Sequence, residues 1–134
     1  MKQVAKLILI DGKNKYLLMK RSAHPTFPGD PDLPGGTLEV GEDPLQTMLR
    51  EVVEEAGVTI DPSSVEHRYT GTDYSKHGTL YHLYTAAIKD RPEITISWEH
   101  DSYDWVDREI FLEQAGQAVD TYMSMVYDVI SRDA

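Results

Sequence analysis

Three glutamates within five residues give this chain its first chemical suggestion. Glu51, Glu54 and Glu55 lie in the stretch from Pro44 to Ala56. Wound as a helix at about 100° per residue, the stretch puts them on one side, with Leu45, Leu49, Val52, Val53 and Ala56 on roughly the opposite arc. Glu51 and Glu55 stand four residues apart, a spacing at which like charges destabilise a helix by a few tenths of a kcal/mol. Glu54 and Glu55 also fall in the last turn, where the helix dipole is negative and favours cations. A bound divalent cation would relieve both penalties, and a donor set of hard oxygens points to Mg²⁺ or Mn²⁺ rather than to zinc or copper. A solvated acidic face on an acidic protein accounts for the same pattern.

Both ends of that helix are marked. Asp43 suits the N-cap, Pro44 the first helical position, and Gln46 completes the capping-box spacing, while Gly57 supplies the C-terminal stop. Upstream, Arg21 to Gly36 contains Pro25, Pro28, Pro31 and Pro34 with three glycines. That composition predicts a long loop rather than a helix or a central strand. At its end Gly35 and Gly36 follow Pro34, where backbone carbonyls could approach a ligand or metal without a side chain in the way. The spacing of Gly36 and Gly41 imitates a P-loop, but Glu42 stands where a lysine is required. A calcium loop begun at Asp30 fails because Gly41 takes the place of the bidentate glutamate.

The rest of the pattern supplies elements to hold these groups. Val4–Ile10 and Lys15–Lys20 read as an opening hairpin around Asp11 to Asn14, and Val65–Tyr74 with Thr79–Ile88 as a second one around Ser75 to Gly78. Ile94–Trp98 and Tyr103–Val106 read as short strands anchored by Trp98 and Trp105, with Glu99, His100 and Asp101 reaching outward between them. A short helix is expected near Arg108 to Gln114. Val119, Tyr122, Met123, Val126 and Ile130 recur at helical spacing near the C-terminus. Core packing is the expectation for that apolar face, with a homodimer contact as the alternative. Hairpins mixed with two substantial helices predict an α/β fold with helices packed on a mixed sheet.

Composition bounds the function. The chain has 134 residues, 40% of them hydrophobic, which suits one domain spanning 1–134. Thirteen Lys and Arg against 23 Asp and Glu give a net charge of −10, which argues against bulk nucleic-acid binding. The absence of cysteine excludes disulfides, thiolate metal sites and thiol nucleophiles. The four-residue apolar run Leu7–Ile10 is too short for a signal peptide, and charges interrupt every longer apolar segment. A soluble cytoplasmic protein without a membrane partner is expected.

Gly36-Thr-Leu-Glu-Val-Gly-Glu42-Asp-Pro-Leu-Gln-Thr-Met-Leu-Arg50-Glu51-Val-Val-Glu54-Glu55-Ala-Gly57-Val58 resembles the complete Nudix box, Gly-x5-Glu-x7-Arg-Glu-U-x-Glu-Glu-x-Gly-U with U aliphatic. The resemblance implies an α/β/α sandwich around a mixed sheet and hydrolysis of a nucleoside diphosphate linked to another group, a small nucleotide substrate. Nucleoside triphosphates and dinucleoside polyphosphates head the expected substrates. It further implies that Glu51, Glu54 and Glu55 bind the metal, with a carbonyl of Gly35 or Gly36 as an extra ligand, and that Arg50 orients the glutamates. Glu51 is the helix candidate for activating water, and Glu99 the loop candidate. Arg21 is a candidate phosphate contact, and Tyr74 stands where a tyrosine accompanies dinucleoside polyphosphate hydrolysis in the family. A silent nucleotide-binding sensor and an RNA 5′-end pyrophosphohydrolase are the alternatives. An isopentenyl diphosphate isomerase would need a catalytic cysteine that this chain lacks.

Overall fold

The computed structural model describes residues 1–22 and 27–133; Pro25 of the proline-rich loop lies outside them. The elements run β1 (Gln3–Ile10), β2 (Tyr16–Arg21), β3 (Pro31–Asp32), β4 (Gly35–Thr37), α1 (Pro44–Ala56), a 3₁₀ turn (Pro62–Ser64), β5 (Val65–Gly71), β6 (Leu80–Ala87), β7 (His100–Val106), α2 (Arg108–Gln117) and α3 (Tyr122–Ser131).

The seven strands form one mixed sheet with the order β3-β2-β1-β6-β5, in which β4 also pairs β1 and β7 pairs β2. Strand alternation sorts the side chains of the sheet onto two faces. Ala5, Leu7, Leu9, Leu17, Met19, Tyr84 and Ala86 pack against Met48, Val52 and Ala56 of α1. Ile8, Tyr16, Leu18 and Leu83 pack against Phe111 and Ala115 of α2 and Tyr122, Met123 and Val126 of α3. The result is the expected α/β arrangement, one helix on one face and two on the other. The apolar face of α3 is core, whereas Val119 precedes the helix and is exposed.

The opening pair of strands is split. β1 and β2 share the antiparallel register pair Ile10↔Tyr16, and at its other end β1 pairs β4, with Lys6 opposite Gly35 and Val4 opposite Thr37. On its other edge β1 runs parallel to β6 from Gln3↔Leu80 to Ile10↔Ala87. The proline-rich loop therefore contributes two short strands that sequence reading assigned to loop. Pro31 is tolerated because it begins its strand, where a missing N–H costs least.

Residues Ile94–Trp98 are not a strand. Their backbone serves α1 instead: Thr95 N–H donates to Ala56 O at 2.9 Å and Ser97 N–H to Glu55 O at 3.3 Å, which satisfies carbonyls that every helix end leaves open. Trp98 is exposed, while Trp105 packs against the core and lies under the Arg91 guanidinium at 5.0 Å.

Candidate active site

Helix α1 begins and ends as its sequence dictates. Asp43 is extended and its carboxylate accepts from Gln46 N–H at 2.8 Å, while Gly57 takes φ +70° and returns its N–H to Val53 O. Within these caps the acidic residues separate into different environments. Glu54 is exposed, Glu51 is half-buried, and Glu55 is buried, its Oε2 accepting the Gly35 N–H at 3.0 Å. Val53, assigned by helical spacing to the apolar arc, is 48% exposed, because the sheet covers a narrower stripe of the helix than that arc.

Arg50 lies at the centre of Glu42, Glu51 and Glu54. Its Nε and Nη2 donate to Glu42 at 2.9 and 3.0 Å, and its Nη1 reaches Glu51 at 3.0 Å and Glu54 at 3.2 Å. Hydrogen bonding to Arg50 pulls the Glu42 carboxyl down to about 2. Burial pushes Glu55 up to about 8, and burial with the repulsion of Glu54 and Glu99 raises Glu51. Gly36 lies so close to Glu51 that a Cβ there would stand 2.4 Å from the carboxylate carbon.

Across from Glu55, where β1 and β2 splay apart, a cleft of 590 Å³ opens. Its inner end is built on Asp32, a buried carboxylate that accepts from Lys6 Nζ at 3.1 Å, from His100 Nε2–H at 2.9 Å and from the Tyr122 hydroxyl, with Arg21 Nε at 3.5 Å. Burial alone would raise its pKa, but Lys6, His100, Arg21 and Tyr122 together hold it well below the usual carboxylate range. Arg21 continues to Asp120 at 2.7 Å. Asp30 fixes the opposite wall by accepting the N–H groups of Val119 and Asp120 at 2.8 and 3.0 Å.

Of the residues singled out by sequence, Gly35, Gly36, Glu55, Glu99 and Arg21 line this cleft. Glu51 adjoins it through Gly36, and Arg50 and Glu54 stand behind Glu51 on the helix. Tyr74 is not brought in: its hydroxyl donates to Asp128 of α3 at 2.6 Å and its ring packs edge-on to Tyr69. His100 turns inward rather than outward, its side chain 1% exposed, because Asp32 is there to receive it. Its Nδ1, 4.0 Å from Glu55 Oε1, is buried without a hydrogen-bond partner. Sequence reading missed Lys6, Asp32 and Tyr122. A lysine inside the run Val4–Ile10 was the available sign, since a charge buried in a strand demands a counter-ion.

Comparison with known proteins agrees with this fold. The chain matches the NUDIX domain over residues 1–125 and belongs to the Nudix family. It is 30% identical over 79 residues to the 8-oxo-dGTP diphosphatase of Escherichia coli, an overlap of 59% of this chain and 61% of that protein. It is 37% identical over 70 residues to the ADP-ribose pyrophosphatase of Methanocaldococcus jannaschii, covering 52% of this chain and 41% of the relative. The chain thus spans less than two thirds of either relative's length. The MutT protein of Methanosarcina mazei shares the fold, with a TM-score of 0.80 at 22% identity over 98% of this chain and 93% of that one.

Members of the family generally use divalent metal ions, and the donors present fit one. All are hard oxygens. Glu55 is a buried carboxylate with no lysine or arginine ion pair among the described residues, and a side chain at residue 36 would fill the space in which the Glu51 carboxylate rests. Among the described residues no three acidic or imidazole groups are gathered tightly enough to hold an ion as they stand, because Arg50 engages Glu51 and Glu54 while Gly35 engages Glu55. Metal binding would exchange those contacts for coordination.

Proposed function

We propose that this protein hydrolyses the phosphoanhydride linkage of a nucleoside diphosphate joined to another group, with nucleoside triphosphates and dinucleoside polyphosphates as its main substrates. The observation that carries this reading is that Glu51, Glu55, Glu99 and the Gly35–Gly36 backbone converge on one end of a cleft whose remaining lining includes Lys2, Lys6, Arg21 and Lys76. Glu51, Glu54 and Glu55, with a carbonyl of Gly35 or Gly36, would hold Mg²⁺ or Mn²⁺. Such an ion neutralises a diphosphate and lowers the pKa of a water molecule beside it.

The chain's own groups would then do the following. Glu99 lines the cleft and would take a proton from the attacking water. Glu51 is the second candidate for that role, and Arg50 holds it against Gly36. Arg21, kept in place by Asp120 and Asp32, presents a planar guanidinium at the cleft wall that suits a phosphate oxygen.

No helix among the described residues is long and apolar enough to cross a membrane, and an acidic, cysteine-free chain suits the cytoplasm we assign to it. The test is a phosphate-release screen over nucleoside triphosphates, ADP-ribose, nucleotide sugars and dinucleoside polyphosphates with Mg²⁺ and with Mn²⁺. Turnover of at least one class, lost in Glu55→Gln, is expected. Tight nucleotide binding with no turnover of any compound would make the protein a sensor instead.

A further inference from the structure

Asp32 decides which nitrogen of His100 is free. Its carboxylate accepts from Lys6 at 3.1 Å and from the Tyr122 hydroxyl, and it is held well below the usual carboxylate range, so it meets His100 Nε2 at 2.9 Å as an acceptor and the proton belongs to the ring. A neutral imidazole protonated on Nε2 carries a bare lone pair on Nδ1. That nitrogen is buried and has no hydrogen-bond partner among the described residues. An open acceptor of this kind is costly to bury.

The backbone aims the ring there. Lys20 is opposite Ser102 and Arg21 opposite His100, so at this point β7 has one residue, Asp101, more than β2. A bulge of that kind breaks the strand's alternation and re-aims a side chain. Ser102 and Asp104 are exposed, whereas the His100 side chain is 1% exposed. What Nδ1 faces is a carboxylate. Glu55 Oε1 stands 4.0 Å away, beyond hydrogen-bonding distance, while Glu55 Oε2 is engaged by the Gly35 N–H at 3.0 Å. Each of the two groups thus has one atom tied to the fold and one turned toward the other. A nitrogen and an oxygen bound to one ion at about 2.1 Å each stand about 3 to 4.2 Å apart, so the gap is one ion wide. His100 and Glu55 line the same cleft as Glu99, whose charge repels both Glu51 and Glu55. Metal-bound histidines as a rule donate their other N–H to a carboxylate, which sets the tautomer and the ring angle, and Asp32 does both here.

We propose that His100 is a metal ligand: its Nδ1, oriented by Asp32, joins the Glu55 carboxylate on one divalent ion, and the mixed nitrogen and oxygen donor set takes Mn²⁺ in preference to Mg²⁺. The inference rests on the metal-assisted function proposed above and narrows its choice of ion. An imidazole nitrogen favours first-row transition ions, whereas Mg²⁺ is held through oxygen. The Nudix-box resemblance implies oxygen donors alone, so His100 is an addition that this chain's own β7 bulge and Asp32 supply.

The test reads the ion, not turnover. The whole protein is loaded with Mn²⁺ and studied by pulsed electron paramagnetic resonance, which detects a ¹⁴N nucleus coordinated to the ion. Wild type should show that coupling and His100→Gln should lose it. By calorimetry the same variant should weaken Mn²⁺ binding about tenfold or more and Mg²⁺ binding by less than about threefold. The chain has five histidines, so a complementary variant with His24, His67, His77 and His82 all changed to Gln serves where His100→Gln does not fold, and it should retain the coupling. Bound Mn²⁺ without ¹⁴N coupling in wild type overturns the ligand, as does coupling that survives in His100→Gln or is lost in the complementary variant. In each of those cases turnover that depends on Glu55 leaves the proposed function standing on oxygen donors alone. Coupling through His100 in a protein that hydrolyses nothing keeps the ligand and removes the catalytic reading. Failure of Mn²⁺ to bind removes both.

Discussion

Gly36→Ala tests the close fit between β4 and helix α1. The added methyl would stand 2.4 Å from Glu51 Cδ, 2.7 Å from Oε1 and 2.8 Å from Cγ. Comfortable carbon–carbon contacts are about 3.5–4.0 Å, so the carboxylate must retreat by about 1 Å or more. The obstacle is the far end of a flexible side chain, so the cost to the fold is that of an off-rotamer glutamate, about 1 kcal/mol. That corresponds to a fall in Tm of about 3–6 °C for a domain of this size. A 1 Å displacement of a reacting group, by contrast, costs about 10²-fold in rate. Gly36→Ala should therefore lower kcat about 10²-fold on the best substrate of the screen while the protein still melts cooperatively. Gly35→Ala is the contrasting case, because there a Cβ meets Ala5 O at 2.1 Å and Lys6 Cα at 2.8 Å, with φ at +150°, and backbone cannot step aside. Its Tm should fall much further. A kcat within threefold of wild type for Gly36→Ala would refute the idea that Glu51 works from this position, and equal Tm losses in the two variants would refute the idea that it yields.

Without metal, Glu55 titrates higher in the fold, near 8, than its ordinary 4.5, so it favours folding below 4.5 and loses that contribution as pH rises through 8. Melting curves in EDTA should show this decline, Glu55→Gln should flatten it, and Mg²⁺ should raise the wild-type Tm most at the alkaline end. Glu42 behaves oppositely: its carboxyl is held near 2, so its contribution is present above 4.5 and lost as pH falls through 2, a loss that Arg50→Gln should remove from the acid limb of the stability profile. Glu99→Gln should reduce kcat by about 10²-fold, and combining it with Glu51→Gln should add little if both act on one water; a change under about threefold would take Glu99 out of the chemistry.

How much of this was legible in the sequence depended on the range of the interaction responsible. Asp43, Pro44, Gln46 and Gly57 act within a turn of themselves, so the limits of α1 follow from residue types alone, and the two apolar runs flanking the turn residues Asp11 to Asn14 placed β1 and β2. The strand expected at Ile94–Trp98 failed because its N–H groups answer the carbonyls of Glu55 and Ala56, distant in sequence and invisible to local pattern. Tyr74 was read by its offset in the chain, yet the position of Asp128 decides where its hydroxyl goes. His100 was misread for the same reason: Asp32 lies 68 residues away and draws it inward. The acids of α1 were found from their spacing, but that Glu55 is buried while Glu54 is exposed follows from the approach of Gly35, which helix periodicity does not encode.

The parallel ladder between β1 and β6 joins residues as far apart in sequence as Gln3 and Leu80. Contacts that close so long a loop form late in folding, after the β5–β6 hairpin and the turns of α1, whose partners are near neighbours in the chain. Lys2 and Lys6 join the β5–β6 loop in lining one cleft only once that ladder has closed, so a partly folded chain has no phosphate cleft to offer. A diphosphate ligand should accordingly slow unfolding in proportion to its occupancy and leave the refolding rate unchanged, a separation that stopped-flow measurements with and without inorganic pyrophosphate would show. The metabolite pool would then prolong the life of finished molecules without hastening the completion of new ones.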